Sequence, residues 1–327
     1  GSSGQRYHAP SGDHKAFCGR TEMSGRYRIA ALDIGGTKIK ACLFEGEVPT
    51  QTVEGDTLAR KGGAPAVLER AAALLRPLLP FDFIGVSTAG QVDPGTGVIR
   101  YANENLPGYT GMDVKGFFEA RFHVPAVILN DVCAAALGEG AYGAAQGVRD
   151  YLCITYGTGI GVGVVLDGRL YYVSGPSAGG MLGGLILHPE DMDPRDPFAG
   201  TYERYASATA LCLAASRLDP SLTSGRAVFQ RMEDPSVRAV VDAWLDQAAA
   251  GIVSLIHVYN VPRVVLGGGV MEQPYAIQGV QARTKALLIP GFHGVQVVGA
   301  KLGNMAGLYG AAYQVLQTGL GEGCYDL

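Results

Sequence analysis

Two stretches of the chain share one pattern, and that pattern decides the fold. Residues 29–44 have the sequence IAALDIGGTKIKACLF, and residues 151–168 have the sequence YLCITYGTGIGVGVVLDG. In each, a glycine-rich turn joins two apolar runs with too few residues between them for a crossover helix, which predicts a β-hairpin. At an offset of about 120 residues, Asp33 falls on Thr155 and Gly35 on Gly157. We therefore expect a duplicated strand-turn-strand unit and two related lobes.

The segments outside these hairpins alternate between strand and helix patterns, which predicts an α/β architecture. Strands are expected at 83–87, 126–129 and 263–266, and helices at 64–79, 132–142, 201–216, 237–259 and 304–316. The final helix is expected to end the ordered chain, with a loose tail after Thr318.

We expect four parts along the chain. Residues 1–26 are polar, rich in Gly and Ser, and begin with a Gly-Ser-Ser-Gly run that resembles a vector scar, so they are placed outside the fold. An N-terminal α/β lobe is expected at 27–131 and a C-terminal α/β lobe at 132–302. A C-terminal helix at 303–318 is expected to pack back on the N-terminal lobe.

Composition narrows the class of protein. The 327 residues are enough for two lobes with separate cores, and 47% hydrophobic with 17% charged residues is an ordinary globular balance. The net charge of -4 gives no electrostatic driver for binding nucleic acid or an anionic membrane. Nucleic acid and membrane are therefore not expected partners.

Cysteine usage and hydropathy indicate the compartment. The six cysteines show no close pairing, which is typical of a reduced chain. No uninterrupted apolar run of about 18 residues occurs, and the first residues lack the apolar core of a secretion signal. We expect a cytoplasmic protein without a membrane span.

The first turn carries groups that suit a phosphate. Gly35 and Gly36 let the backbone approach phosphate oxygens, and consecutive N–H groups can form an anion nest. Thr37 and Lys38 can donate to phosphate, and Asp33 can hold a hydrated Mg²⁺ ion. The alternative is a plain hairpin with a favourable turn. The glycine spacing does not match a Walker A motif, so a P-loop fold is not implied.

Two further glycine turns could complete a nucleotide site. The turn from Gly157 through Thr158 to Gly159 could supply a second nest, so that two turns facing one cleft clamp a triphosphate. After the strand at 263–266, three glycines without side chains would let an adenine ring lie against the backbone: Gly267, Gly268 and Gly269. Each turn alone is explained equally well as an ordinary tight connection.

Asn130 and Asp131 stand where a predicted strand passes into an Ala-rich helix. A kinase needs a carboxylate to accept a hydroxyl proton, and the positive end of a helix keeps such a carboxylate ionised. Asn130 would orient substrate hydroxyls. The alternative is a conventional helix N-cap, which Asp often provides.

Taken together, these residues resemble the ROK family of bacterial sugar kinases and repressors, over about residues 29–313. The resemblance implies a two-lobed actin-like fold, as in hexokinase and ribonuclease H, with ATP and Mg²⁺ as cofactors. It is carried by seven blocks: LDIGGTKIKACLF (32–44), GVSTAGQVD (85–93), NENLPGY (103–109), LNDVCAAALGE (129–139), YGTGIGVGVVLDG (156–168), YERYAS (202–207) and VVLGGGV (264–270).

The resemblance also implies residue roles. Asp131 takes the role of catalytic base, and Glu203 corresponds to a glutamate that contacts sugar hydroxyls near the anomeric end. Asn105 and Asn130 face the sugar, and Gly90 falls among the substrate-binding positions. The three glycine turns correspond to nucleotide contacts. The implied assembly is a homodimer.

The chain departs from the family pattern at one segment. Where members usually have Gly-Glu-x-Gly-His, residues 179–183 are GGMLG, so that Gly180 and Gly183 stand in place of a sugar-binding Glu and a His that also binds zinc. The cysteines of the family's zinc site are missing from residues 191–200, and His188 alone cannot complete a tetrahedral site. No structural zinc is expected.

The expected function is transfer of the γ-phosphoryl group of ATP to a hydroxyl of a hexose or N-acetylhexosamine, with the 6-hydroxyl favoured. Two alternatives stay open. A repressor of the same family needs an added DNA-binding segment, for which 26 polar leading residues are too few. A sensor that binds sugar or nucleotide without efficient catalysis would fit the replaced positions, but it would not need the base Asp131.

Overall fold

The structure is a computed structural model that describes residues 27–103, 105–172 and 180–318. The predicted leader and the predicted loose tail lie outside the described residues. The strands are β1 (Arg28–Ile34), β2 (Lys38–Glu45), β3 (Val48–Asp56), β4 (Phe83–Thr88), β5 (Gln91–Val92), β6 (Ile99–Tyr101), β7 (Ala126–Asn130), β8 (Tyr151–Tyr156), β9 (Ile160–Leu166), β10 (Arg169–Leu170), β11 (Arg263–Gly267) and β12 (Gln296–Gly299). The helices are α1 (Gly63–Leu75), α2 (Val114–Phe122), α3 (Asp131–Tyr142), α4 (Tyr202–Ala206), α5 (Ala208–Ser216), α6 (Gly225–Phe229), α7 (Pro235–Tyr259), α8 (Pro274–Leu287) and α9 (Ala306–Thr318).

Two five-stranded sheets have the same topology. The first has the order β3-β2-β1-β4-β7 and the second the order β10-β9-β8-β11-β12. Both predicted hairpins are confirmed, since β1 pairs antiparallel with β2 and β8 antiparallel with β9. In both sheets the first strand of the hairpin also pairs parallel with the strand on its other side. The duplication therefore extends beyond the hairpin to the whole sheet, and the predicted α/β fold is confirmed.

Several elements were not predicted, and weak burial explains two of them, β3 and α2. β3 is the edge strand of the first sheet and has no fully buried residue, so its sequence contains no apolar run. α2 buries only Val114 and Phe118, which is too little to give a clear helical period. Edge strands and half-exposed helices carry the weakest hydrophobic patterns.

Two predicted helices have different bounds. The helix expected at 64–79 ends at Leu75 and continues only as a short 3₁₀ turn, because Pro77 has no N–H to continue the α-helical ladder. The helix expected at 201–216 is broken at Ser207, which is extended and whose hydroxyl accepts the N–H of Ala210 at 3.1 Å. Serine thus ends α4 and caps α5.

The second sheet packs against α7, a helix of 25 residues. By length and composition alone α7 could cross a membrane, and it is the one such helix in the part of the chain that the structure describes. Its side chains Val241, Leu245 and Ile252 are fully buried and belong to the core over this sheet. That packing is typical of the core helix of a globular protein.

α9 lies between the two sheets and contacts both α3 and the strands of the first sheet. The contacts are backbone to backbone. A Cβ atom added at Gly310 would overlap the carbonyl oxygen of Ala134, and one at Gly138 would overlap that of Ala306. One at Gly85 would lie 2.5 Å from the carbonyl oxygen of Ala311. Glycine is required at these positions because no side chain fits between the elements.

The domain boundaries expected at 131 and 302 stay predictions. α3 follows directly on β7 of the first sheet, yet it also packs against β8 and β9 of the second. A single residue therefore does not divide the two halves cleanly.

Gly310→Ala is expected to lower the free energy of unfolding by about 1–3 kcal/mol, because its methyl group meets the α3 backbone. Helix propensity alone would give the opposite sign, since Ala is favoured over Gly in a helix by about 1 kcal/mol. Urea unfolding decides between them. Gly291→Ala, where no heavy atom lies within 4 Å of the added Cβ, is the matched control; equal stability of the two variants would contradict the close contact.

Candidate functional site

The carboxyl ends of three parallel strands meet at one edge of the first sheet. β1 ends near Asp33, β4 ends near Ser87, and β7 ends at Asn130. This edge is where ligands bind in open α/β sheets. The residues that the sequence singled out on two separate segments, Asp33 and Asn130, thus lie on one side of the fold.

Asp33 is half-buried at this edge. The hydroxyl of Ser87 donates to its Oδ1 at 2.7 Å. Burial raises the pKa of Asp33, while the bond from Ser87 and the charge of Lys40 oppose that rise. Gly307, in the first turn of α9, abuts the pair: a Cβ there would lie 2.8 Å from the Ser87 hydroxyl and 3.1 Å from Asp33 Oδ1. Ser87 was not predicted as a site residue, because serine on a buried strand gives no signal.

Asn130, and not Asp131, is the N-cap of α3. Its Oδ1 accepts the N–H groups of Val132 at 3.0 Å and Cys133 at 3.4 Å. Its Nδ2 donates to the carbonyl oxygen of Gly90 at 2.8 Å. Asn130 thus fills the capping role that the alternative gave to Asp131. The bond to Gly90 places that residue next to the junction of β7 and α3. Contacts of Asn130 and Gly90 with a sugar stay predictions.

Asp131 is the first residue of α3, and its Oδ1 accepts the N–H of Val132 at 2.9 Å. Burial, and after it the negative charge of Asp33, raise the pKa of Asp131 to about 6. The sequence predicts that the helix N-terminus keeps this carboxylate ionised. The backbone N–H does favour the charged form, but burial and the second carboxylate outweigh it.

The second glycine turn lies against the start of α3. Gly161 packs on Val132 so closely that a Cβ at position 161 would overlap the valine methyl group. The turn itself is closed by the N–H of Gly157 donating to the carbonyl oxygen of Gly159 at 2.9 Å. Asp131 therefore lies between the second turn and Asp33, whose negative charge raises the pKa of Asp131.

The first turn is also closed by a backbone hydrogen bond, which spans one residue more than that of the second turn. The N–H of Gly35 donates to the carbonyl oxygen of Lys38 at 3.0 Å, and the hydroxyl of Thr57 donates to the carbonyl oxygen of Gly35 at 2.7 Å. At Gly36 no heavy atom lies within 4 Å of an added Cβ, so this part of the turn is open to a ligand. Gly36 and Thr37 are both exposed. Their binding of phosphate stays a prediction.

Lys38 has a partner that the sequence did not indicate. Its Nζ lies 2.7 Å from Asp56 Oδ1, on the unpredicted strand β3, and both side chains are exposed. The bond to Asp56 raises the pKa of Lys38. An exposed pair of this kind contributes little stability, so a phosphate could replace the carboxylate. The predicted phosphate role of Lys38 would need that exchange.

A cavity of about 670 Å³ opens beside the second turn, within the range of small-molecule sites. Gly157 and Gly269 line it, and at both positions an added Cβ would meet no heavy atom within 4 Å. These open backbones and the cavity fit a nucleotide. The cavity is also lined by residues that no motif indicated, which come from α5, from α6 and from the residues just before α6 and α8: Thr209, Cys212, Leu213, Ser216, Thr223, Arg226 and Gln273.

The other two glycines of the third turn have structural roles. Gly268 has φ 95° and packs on the backbone of Tyr156, so a side chain there is excluded twice. Gly267 ends β11 opposite Thr155. Together they hold Gly269 at the cavity. A direct contact of Gly267 or Gly268 with adenine stays a prediction.

Glu203 lies in the first turn of α4, under the second glycine turn. Its Oε2 accepts the N–H of Ile160 at 2.9 Å, and a Cβ at Gly159 would overlap the same oxygen. The carboxylate is therefore held by the nucleotide-side turn. The contact of Glu203 with sugar hydroxyls stays a prediction.

The backbone disfavours the pairing of Gly183 with the family's histidine. A Cβ at Gly183 would overlap the carbonyl oxygen of Ile160, so no side chain fits there. At Gly184 the nearest atom to an added Cβ is 3.9 Å away. Both facts fit if the Gly-Glu-x-Gly-His motif is aligned one residue later, with residues 180–184 (GMLGG), so that Gly183 matches the second glycine of the motif. Met181, which is 52% exposed, and Gly184 then take the places of the Glu and the His.

Asn105 lies in the exposed loop after β6, where its N–H donates to Asn103 Oδ1 at 3.1 Å. This bond lies within the loop and does not involve Asp131. Its contact with a sugar therefore stays a prediction.

The segment that carries zinc in the family has a different donor set here. His188 contacts Gln247 Oε1 through Nε2 at 2.7 Å and Glu190 Oε1 through Nδ1 at 3.1 Å. His188, Glu190 and Asp191 form a group close enough to share an ion. No cysteine joins them within the described residues, and the two acids are exposed. This set does not fit a structural zinc site, which needs four ligands, usually with thiolates.

Known proteins resemble the chain over nearly its whole length. A β-glucoside kinase of Listeria innocua is 28% identical over 302 residues, which cover 89% of this chain and 98% of the relative. A glucokinase of Streptomyces griseus, solved with glucose and AMPPNP, superposes with a TM-score of 0.77 at 27% identity, covering 89% of this chain and 99% of the other. A ROK hexokinase of Thermus thermophilus gives 0.75 at 31% identity, with the same coverage.

The family model described as "ROK family" matches residues 29–318. That range contains both sheets, the three glycine turns and the junction at Asp131. The solved relatives have the two-lobed actin-like fold that the resemblance implied. The chain belongs to the ROK family.

Proposed function

We propose that the chain is an ATP-dependent carbohydrate kinase that phosphorylates a hexose or N-acetylhexosamine, with the 6-hydroxyl favoured and Asp131 as general base. The observation that carries the proposal is the place of Asp131. It stands at a helix N-terminus between a second carboxylate, Asp33, and an open glycine turn beside a nucleotide-sized cavity. Sugar kinases among the similar proteins support the reaction class.

Asp131 acts on the proton of the attacking hydroxyl. As the hydroxyl oxygen bonds to the γ-phosphorus, the bond to the bridging oxygen of the β-phosphate breaks, and the proton passes to the Asp131 carboxylate. A pKa of about 6 leaves this carboxylate mostly ionised at neutral pH and still basic enough to accept a proton.

Asp33 is the residue proposed to hold Mg²⁺ through water. The ion neutralises charge on the transferred phosphoryl group when it is bound. Carboxylate oxygens are the ligands that Mg²⁺ prefers, and Ser87 occupies only Oδ1 of Asp33. A cation at this place would also lower the pKa of Asp131, because it offsets the negative charge of Asp33.

The sugar is proposed to bind against Glu203, Asn130, Asn105 and the Gly90 segment. Met181 and Gly184 leave the Glu203 side of this pocket with fewer polar groups than the family pattern provides. A substituent on the sugar would therefore meet a methionine in place of a carboxylate. A β-glucoside kinase among the relatives makes glycosides worth testing beside free sugars.

A homodimer in the cytoplasm is the proposed form of the enzyme. Closed two-fold dimers are the commonest symmetric assemblies. The described cysteines Cys42, Cys133, Cys153 and Cys212 are all free thiols, which suits a reducing compartment.

A non-catalytic sensor is the competing proposal, and the loss of polar groups at Met181 and Gly184 favours it. The site nevertheless keeps two carboxylates close enough for one to raise the pKa of the other. Such pairs are a cost to stability and are typical of catalytic sites.

A panel of hexoses, hexosamines, N-acetylhexosamines and β-glucosides is the first test. The purified chain with Mg²⁺-ATP is expected to release ADP in a sugar-dependent way, measured by a coupled assay, with at least one hexose or N-acetylhexosamine as substrate. A background without sugar serves as the control. Nucleotide binding with no turnover on any sugar would favour the sensor.

The pH dependence of kcat/KM is expected to show a limb near pH 6. Because the pKa of Asp131 is raised, the carboxylate becomes protonated below that pH and loses its ability to accept a proton. The rate should therefore fall about tenfold per pH unit on the acid side. Asp131→Asn should cut kcat by about 10²- to 10⁴-fold, keep nucleotide binding and lose the limb. An unchanged limb in that variant would assign it to another group, such as Asp33.

A further inference from the structure

Glu139 is a fully buried acid that the proposed chemistry does not use. It lies in the last turn of α3 with no exposed surface. Its carboxylate accepts three backbone N–H groups: that of Ala144 at 2.7 Å, that of Lys301 at 3.0 Å and that of Leu302 at 2.8 Å. Burying a carboxylate is costly unless its oxygens are hydrogen-bonded, and here each oxygen is.

The three donors belong to two segments that are far apart in sequence. Ala144 follows α3 directly. Lys301 and Leu302 lie 162 and 163 residues away from Glu139 in the sequence, in the connection between β12 and α9. A Cβ at Gly143 would overlap Glu139 Oε2, so the chain also turns tightly around the carboxylate.

Those segments are the places where the described chain passes between the two sheets. The first passage runs from β7 through Asn130 into α3, which packs on the second sheet. The second runs from β12 through residues 300–305 into α9, which packs on the first sheet. Glu139 stands on the helix that the first passage begins, and it binds the backbone of the second.

The same two helices place the reacting groups. α3 begins at Asp131, eight residues before Glu139, which is about 12 Å along a helix. α9 begins beside Asp33, because Gly307 in its first turn abuts that carboxylate and Ser87. The relation between α3 and α9 therefore sets the relation between Asp131 and Asp33.

We propose that Glu139 is a positioning residue for phosphoryl transfer, which rests on the proposed kinase function. Its hydrogen bonds join α3 to the connection between β12 and α9. The two sheets then rotate about this connection when sugar and nucleotide bind and the site closes. These hydrogen bonds bring Asp131 and the second glycine turn to the same position relative to Asp33 each time the site closes. Catalysis by alignment is sensitive to errors of about 1 Å, which can cost about 100-fold in rate.

Glu139→Gln is the sharpest test, because the amide keeps the size of the side chain but turns one acceptor oxygen into a donor facing a backbone N–H. The expected result is a loss of about 10- to 100-fold in kcat, measured well below the unfolding temperature. KM for ATP should stay within about threefold, since the nucleotide cavity is lined only by residues of 156–273 and does not include either passage.

Glu119→Gln is the matched control. Glu119 Oε1 accepts the N–H of Ala126 at 3.0 Å, an acid-to-backbone bond of the same kind within the first half of the chain. It should leave kcat unchanged within about twofold. Should Glu139→Gln fail to fold, Glu139→Asp keeps the charge with a shorter reach and should show a smaller loss of kcat in the same direction.

A purely structural role for Glu139 predicts a different outcome. Glu139→Gln would then unfold at a lower temperature but keep the wild-type kcat per folded molecule, and that result would overturn the proposal. Small-angle scattering gives a second readout: sugar and AMPPNP should compact the wild type and the Glu119 variant more than the Glu139 variant. If the wild type turns over no sugar, the kinase function fails, while equal compaction of all three proteins would refute the role of Glu139 separately.

Discussion

The contact between α3 and α9 is the constraint on which the rest of the molecule depends. Two helices approach until backbone meets backbone, with Gly138 against Ala306 and Gly310 against Ala134. Dense packing of this kind permits a few discrete arrangements and resists gradual deformation. α3 begins at Asp131, and the first turn of α9 abuts Asp33, so the crossing of the two helices sets the relation between the two carboxylates.

The electrostatics of the site follow from the same closeness. Asp33 lies on β1 and Asp131 directly follows β7, and these two strands end at one edge of the first sheet. The charge of Lys40 offsets only part of the rise that burial causes in the pKa of Asp33. Burial and mutual repulsion raise the pKa of Asp131. The proposed Mg²⁺ ion at Asp33 would offset this repulsion. Carboxylates whose pKa is raised by burial and by a neighbouring charge are typical of catalytic sites.

Much of this architecture could be predicted from the sequence, because the hairpins, the buried strands and the Asn130–Asp131 junction carry strong local patterns. What could not be predicted depends on contacts between distant segments. β3 is an exposed edge, so its partner Asp56 for Lys38 was invisible. The cavity wall comes from helices without a motif. Sterics disfavour the alignment of Gly183 with a histidine, and only the fold shows this, because it places the carbonyl of Ile160 against Gly183.

The two sheets match in topology but carry different residues at equivalent positions. By strand register, the neighbours Asp33 and Ser87 of the first sheet correspond to Thr155 and Gly267 of the second. The copies have diverged at these positions, because the first sheet has an acid beside a serine and the second has a threonine beside a glycine. A polar molecule entering between them meets unlike surfaces on its two sides. The two sheets therefore favour one orientation of a bound molecule, although their topologies match.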